Sequence, residues 1–172
     1  PFLDEILQKA DNAGVSGMAC CGTREEDWQA VAGLSAADKR IFPFFGIHPW
    51  YVDALSDGWR DALEGLLVKT GAGVGETGLD HVGPRRNDDT QEAVFEEHLK
   101  LAVRLKRPVA VHCRKAWGAL PRILEKSGGL SCPGVMHSYS GPAELVPELE
   151  GAGFYISFSG SITRKENKKG RA

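Results

Sequence analysis

Residues Gly73–Asp80 read GVGETGLD. An apolar run of strand length closes on a carboxylate, Glu76, set among glycines. A charged side chain is seldom placed inside a fold unless something pairs with it. The run therefore predicts a buried strand with a waiting partner for Glu76 at its end.

Five more apolar runs share that character: GVSGMACC (14–21), RIFPFFGIH (40–48), RPVAVHC (107–113), CPGVMH (132–137) and GFYISFSG (153–160). Each has the length of a strand. Between them the apolar residues fall at helical spacing. Leu3, Ile6, Leu7 and Ala10 share one face; Trp59, Leu63, Leu66 and Leu67 form a second stripe; Val94, Phe95, Leu99, Ala102 and Leu105 a third. Thr23 is placed to cap a helix over about 24–32, and Asp88, Asp89 and Thr90 to start the third stripe. Leu120, Ile123 and Leu124, then Leu145 and Leu149, mark two more helices. Strict alternation of helix and strand implies parallel strands with helices packed outside. An open doubly wound sheet and a (β/α)8 barrel both satisfy it. No GxGxxG follows the first run and no P-loop is present, which disfavours the dinucleotide form of the open sheet.

The polar residues are placed by the strands. Four runs end in an acid/base or metal-ligating group: His48, Glu76, His112 and His137. In parallel α/β folds the C-terminal strand ends form the working face. Neighbouring strands lie about 4.8 Å apart, so Glu76, His112 and His137 can meet although they are distant in sequence. One carboxylate and two imidazoles suit Zn²⁺, Mn²⁺ or a similar divalent ion with positions left for water. Such an ion would compensate the buried carboxylate and activate water. The alternative is that these histidines are hydrogen-bonded rim residues. Asp80, in the following loop, reads as an acceptor behind a histidine or as part of a turn. Arg114 reads as a phosphate or carboxylate anchor, or as the start of the next helix. Trp50 and Tyr51 read as a wall for a planar group or as lid residues. His81 is expected in a solvated loop and His98 on a helix surface.

Composition sets the bounds. The chain has 172 residues, 42% hydrophobic and 26% charged, with 21 basic and 23 acidic side chains and a net charge of −2. That is a globular composition of a size for one domain, spanning 1–172, and it lacks a general basic field. An active-site metal would supply positive charge locally instead. No run is long enough to cross a bilayer, so no membrane partner is expected. Cysteines at 20, 21, 113 and 132 show no CxxC spacing. A reducing, cytoplasmic setting follows, with Cys20 and Cys21 as core or strand-end residues. The opening Pro1 and the basic run RKENKKGRA at the end are both expected to be cut ends.

The motifs GIHPW, GETGLD, VHCRKAW, MHSYSG and FYISFSGSIT, in this order, resemble the TatD family of metal-dependent deoxyribonucleases in the amidohydrolase superfamily. The likeness covers essentially the whole chain. It implies a (β/α)8 barrel, incomplete here, with six of eight strands and the first and last missing. It implies a two-metal phosphodiesterase in which Glu76 bridges the ions and acts in catalysis, while His112 and His137 hold one of them with it. The second ion of the family uses an H-x-H pair and the aspartate of T-D-x-P, and neither motif occurs in this sequence. The resemblance implies Mg²⁺, Mn²⁺ or Zn²⁺ as cofactor and a DNA 3′ end as substrate, cut in a 3′–5′ exonuclease manner. His48 and Arg114 would contact phosphate and Trp50 would stack a base; relatives often place a histidine where Trp50 stands. The sequence as it stands is expected to be inactive or nearly so, to continue into a further helix from Ile162, and to self-associate through open barrel edges. A metal-dependent amidohydrolase or esterase acting on a small molecule or an aminoacyl ester is the alternative chemistry, and a non-catalytic barrel the other.

Overall fold

A computed structural model describes residues 2–82 and 87–164. Its six strands are β1 (Met18–Gly22), β2 (Ile41–Phe45), β3 (Gly73–Asp80), β4 (Val109–Arg114), β5 (Gly134–His137) and β6 (Phe154–Ile156). The helices are α1 (Phe2–Asn12), α2 (Trp28–Ala37), α3 (Trp59–Thr70), α4 (Asp88–Leu105), α5 (Leu120–Lys126) and α6 (Val146–Gly151). All pairings are parallel, and the order across the sheet is β1-β2-β3-β4-β5-β6.

That order separates the two architectures left open by the alternation. Crossovers between parallel strands are right-handed. A doubly wound sheet reverses direction part-way and so covers both faces. Here the order never reverses, so every crossover helix falls on one face, as in a barrel wall. The core lies between that face and the helices: Phe45, Leu63, Leu67, Phe95, Leu99, Leu120 and Ile123 are fully buried. The opposite face carries Phe42, 57% exposed, and Tyr155, 71% exposed. Ion pairs staple the helices on the outside, Arg104 to Glu64 and Arg122 to Glu92.

Several local expectations shift. Thr23 does not cap a helix. Instead the Asp27 carboxylate accepts from the Thr23 amide and hydroxyl, a 3-10 turn fills Glu25–Asp27, and α2 starts at Trp28. β3 does not stop at Glu76 but runs to Asp80, so Asp80 is a strand residue. Arg114 is the last residue of β4 and does not start the next helix. Gly160–Thr163 forms a 3-10 turn; the rest of the helix expected from Ile162 lies outside the described residues. Among the described residues no helix is long and apolar enough to cross a membrane.

Candidate metal centre

Glu76 owes its position to an irregularity in β3. The strand pairs β4 at Val74↔Val109 and resumes at Thr77↔Val111. Gly75 and Glu76 on β3 thus face Ala110 alone on β4, the signature of a bulge, which re-aims side chains. Glycine is required on both sides of it. Gly75 and Gly78 each sit at φ +140°. A Cβ would lie 2.5 Å from the Ala110 carbonyl oxygen at Gly75, and 2.0 Å from that of His112 at Gly78. The glycines that flank Glu76 in sequence therefore let β3 and β4 approach across the site.

Around Glu76 the structure gathers His48, from the end of β2, and His112, from β4. One ligand atom from each of the three lies within 4.8 Å of the others. His112 stands between two carboxylates: Nδ1 is 3.1 Å from Glu76 Oε1 and Nε2 is 3.2 Å from Asp80 Oδ2. A single ring proton can serve only one of them. Asp80 Oδ2 also accepts the Trp50 indole N–H at 2.8 Å, and Oδ1 accepts the Val82 amide at 3.0 Å. If Nε2 carries the proton toward Asp80, Nδ1 faces the Glu76 oxygen with a bare lone pair. Two acceptors 3.1 Å apart are what a shared cation resolves. The donor set thus fits a divalent ion, with Asp80 fixing the ring that holds it.

His48 is set differently. Its Nδ1 accepts the Trp50 amide at 3.2 Å, capping the 3-10 turn Pro49–Ala54. The neutral ring then carries its proton on Nε2, which faces Glu76 Oε1 at 3.9 Å. Burial first, then the neighbouring charge of His112, pushes His48 down to about 4. The contact with Glu76 is therefore made by a neutral ring and is not an ion pair. Proximity groups His48 with the metal-capable atoms, but the tautomer makes its Nε2 a donor. A ring nitrogen cannot donate a proton and a lone pair at once, so with Nδ1 accepting from Trp50 the His48 Nε2–H is a hydrogen-bond donor and not an ion ligand. For Glu76, burial pushes the carboxyl up, but the surrounding imidazoles, His112 first, outweigh it and hold it below its usual range. Cys21, facing the site from β1, is driven up to about 12 by burial and then by the Glu76 charge, and stays a neutral thiol. All four cysteines are free.

His137 pairs His112 in register across β4 and β5. Its ring is exposed, outside the close group, with Nε2 3.1 Å from the Ser138 hydroxyl. Arg114 is exposed at the end of β4, in register with Asp80. Trp50 is 63% exposed and meets the His48 ring edge-on at 4.9 Å. Tyr51 turns inward, packing against the core with Arg24 over its ring at 5.2 Å. Two histidines depart from expectation. His81 is only partly exposed: its amide donates to the Arg114 carbonyl and its ring lies 3.7 Å from Asp88. His98 is fully buried, because it follows Val94 by four residues on the inward face of α4. Gln91, also buried on that face, was absent from the sequence reading; its helical spacing to Val94 and His98 was the available signal.

A one-sided parallel wall with acidic and imidazole side chains gathered at the C-terminal ends of its strands defines a class by fold: (β/α)8-barrel proteins with a candidate metal centre at the mouth. The chain belongs to the TatD family, whose profile, described as TatD related DNase, matches residues 1–172. It is 30% identical to the uncharacterized metal-dependent hydrolase YjjV of Escherichia coli over 96% of this chain and 64% of that protein. It is 29% identical to a 3′-5′ ssDNA/RNA exonuclease TatD of Citrobacter koseri over 92% of this chain and 62% of that protein. The crystal structure of YjjV, a TatD homologue, superposes with a TM-score of 0.87 at 30% identity, covering 94% of this chain and 63% of that one. The chain therefore spans somewhat under two thirds of these relatives.

Proposed function

We propose that the protein containing this chain is a divalent-metal-dependent phosphodiesterase that acts on the 3′ end of single-stranded or frayed DNA. The observation that carries the reading is the His112 imidazole held between the Glu76 and Asp80 carboxylates, with Asp80 itself buried. Glu76 and His112 would hold the ion, and His137, next to His112 in register, would close on it from β5. A bound divalent ion lowers the pKa of water and neutralises charge on phosphate oxygens.

The remaining steps belong to side chains of this chain. Asp80 would keep the His112 proton on Nε2 and so leave the Nδ1 lone pair free for the ion. His48, neutral and with Nε2–H facing the mouth, donates to a phosphate oxygen. Arg114 offers an exposed guanidinium for a second oxygen. The open face of Trp50 stacks a terminal base, an interaction worth about 1–3 kcal/mol per base. Relatives named as ssDNA/RNA exonucleases support the substrate class. Free thiols are consistent with a cytoplasmic setting, and the outer edges of β1 and β6, unpaired among the described residues, with self-association.

The test is hydrolysis of 3′-labelled single-stranded DNA by the full-length protein, with and without Mn²⁺ or Mg²⁺, against aminoacyl and small acyl esters. Metal-dependent shortening from the 3′ end supports the proposal. Ester cleavage with intact DNA would replace it with the acyl-hydrolase chemistry.

A further inference from the structure

Helix α4 carries two buried polar side chains that do not line the mouth. Gln91 is 5% exposed and His98 is fully buried. Seven residues apart, they sit two turns along one helical face. Both reach past the core to backbone at the C-terminal ends of strands: Asp80 closes β3, and Ile47 lies just beyond β2. The Gln91 amide oxygen accepts the Asp80 N–H at 2.8 Å, and its NH₂ donates to the Asp80 carbonyl at 3.2 Å. His98 Nε2 accepts the Ile47 N–H at 3.0 Å, and its Nδ1–H donates to the Val94 carbonyl at 2.7 Å. One proton satisfies both His98 contacts and fixes the tautomer. The ring is stacked on Trp59 at 5.3 Å with 17° between planes.

The backbone held in this way bears the site. Asp80 is the acceptor for His112, and Ile47 precedes His48. The segment around Ile47 is held on each side as well. The Trp28 indole donates to the Gly46 carbonyl at 3.1 Å, and the His48 amide donates to the Thr23 carbonyl at 2.8 Å. A buried amide without a partner is costly, so the Ile47 and Asp80 backbones have little freedom to move away from α4.

We propose that Gln91 and His98 are positioning residues: α4 sets the orientation of His112 through Asp80, and of His48 through Ile47, from the outer side of the sheet. The metal part of this inference rests on the proposed function. The test titrates Mn²⁺ calorimetrically into the protein and into Gln91→Met, His98→Phe, His98→Gln and Leu99→Val, each verified as folded by circular dichroism. Ring ¹⁵N shifts of His48 and His112 are recorded without metal. Gln91→Met and His98→Phe are expected to bind Mn²⁺ about 10–100-fold more weakly and to move the ring shifts. His98→Gln restores an acceptor for Ile47 and a donor for Val94, and is expected to stay near the parent. Leu99→Val loosens the same helix without touching either backbone bond and is expected to leave affinity unchanged.

Parent-like affinity and unmoved shifts in folded Gln91→Met and His98→Phe overturn the inference, as does an equal loss in Leu99→Val. If His98→Phe does not fold, Gln91→Met and His98→Gln decide the matter alone. A parent that binds no Mn²⁺ removes the metal reading, while the ring shifts still judge the positioning: displaced shifts support it and unchanged shifts overturn it.

Discussion

The two halves of the mouth are made from the same kind of strand, yet one is held from behind by longer elements and by side-chain hydrogen bonds to its backbone, and the other by short helices and apolar packing. On the β2–β4 side, β3 runs for eight residues and β4 for six. Leu63, Leu67, Phe95 and Leu99 pack behind them without exposure. Trp28, Gln91 and His98 pin the backbone of that side. On the other side β5 has four residues and β6 three, backed by helices of seven and six residues. A cleft of about 650 Å³, lined by Leu124, Leu130, Leu149 and Phe154 among others, opens between those helices. The side chains follow the scaffold: Glu76 and His112 are drawn in, while His137 stands exposed. A mouth of this kind has one half built in advance by packing and hydrogen bonds, and a second half with far less to fix it.

The largest effect should separate the halves directly. Glu76→Gln removes the charge and one ligand atom at the centre of the held half, and Mn²⁺ affinity should fall by more than about 100-fold. His137→Ala, on the loosely backed half, should cost about 10-fold or less. Calorimetric titration of both variants reads the difference; equal losses would erase the proposed asymmetry. Asp80→Asn comes next. It replaces the acceptor for the His112 Nε2–H and should weaken Mn²⁺ binding roughly 10–100-fold while the fold persists.

The held half should also show itself in acid. Burial pushes His98 down to about 4, against the Val94 hydrogen bond and the Glu97 charge that both act to raise it. In the unfolded chain its pKa returns to about 6.5. Between those values the unfolded state binds the extra proton, so stability falls as pH drops. The contribution is complete above pH 6.5 and gone once pH has fallen through about 4. A shift of that size corresponds to a contribution on the order of 3 kcal/mol. His48, also near 4, acts in the same direction. Carboxylates such as Asp38, held at about 2 by Arg40, lose their contribution only at lower pH. Urea midpoints at pH 7.5 and 4.5 should therefore differ clearly, and His98→Gln should reduce that difference by roughly half. An unchanged pH slope in the variant would move the origin of the acid sensitivity elsewhere.

The uneven reach of the sequence follows from the same asymmetry. The barrel wall was legible because the alternation of helical stripes and apolar runs is a local property, and the C-terminal parts of those runs point to His48, Glu76, His112 and His137 without knowledge of any contact, although only the first three come together. The bulge at Glu76 was not legible, since it depends on register against β4, although Gly75 and Gly78 mark where it falls. His98 was misplaced for a different reason. A titratable ring suggests a helix surface, whereas the four-residue offset from Val94 puts His98 on the buried face. A buried histidine needs two partners, and those partners, Ile47 and Val94, are backbone atoms that no residue-type pattern displays. Asp80 reads in the sequence as an acceptor behind a histidine or as part of a turn, and its place in β3 is not legible, because the extension of the strand past Glu76 depends on pairing with Cys113 and Arg114.

The smallest expected effect probes the rim between the halves. Trp50 is mostly exposed, so Trp50→Phe removes little buried surface and should leave the unfolding free energy from urea titration within about 0.5 kcal/mol of the parent. Phenylalanine keeps a stacking face but lacks the indole N–H that donates to Asp80 Oδ2. With that donor gone, Asp80 leans more fully on His112, and Mn²⁺ affinity should change by no more than a few-fold. Trp50→Ala removes the ring as well. If the ring stacks a base, Trp50→Ala should weaken single-stranded DNA binding by about 1–3 kcal/mol while Trp50→Phe stays near the parent. Fluorescence anisotropy with a labelled oligonucleotide separates the two variants. Equal losses in both would assign the effect to the hydrogen bond to Asp80, making Trp50 part of the held half and not a contact for the substrate.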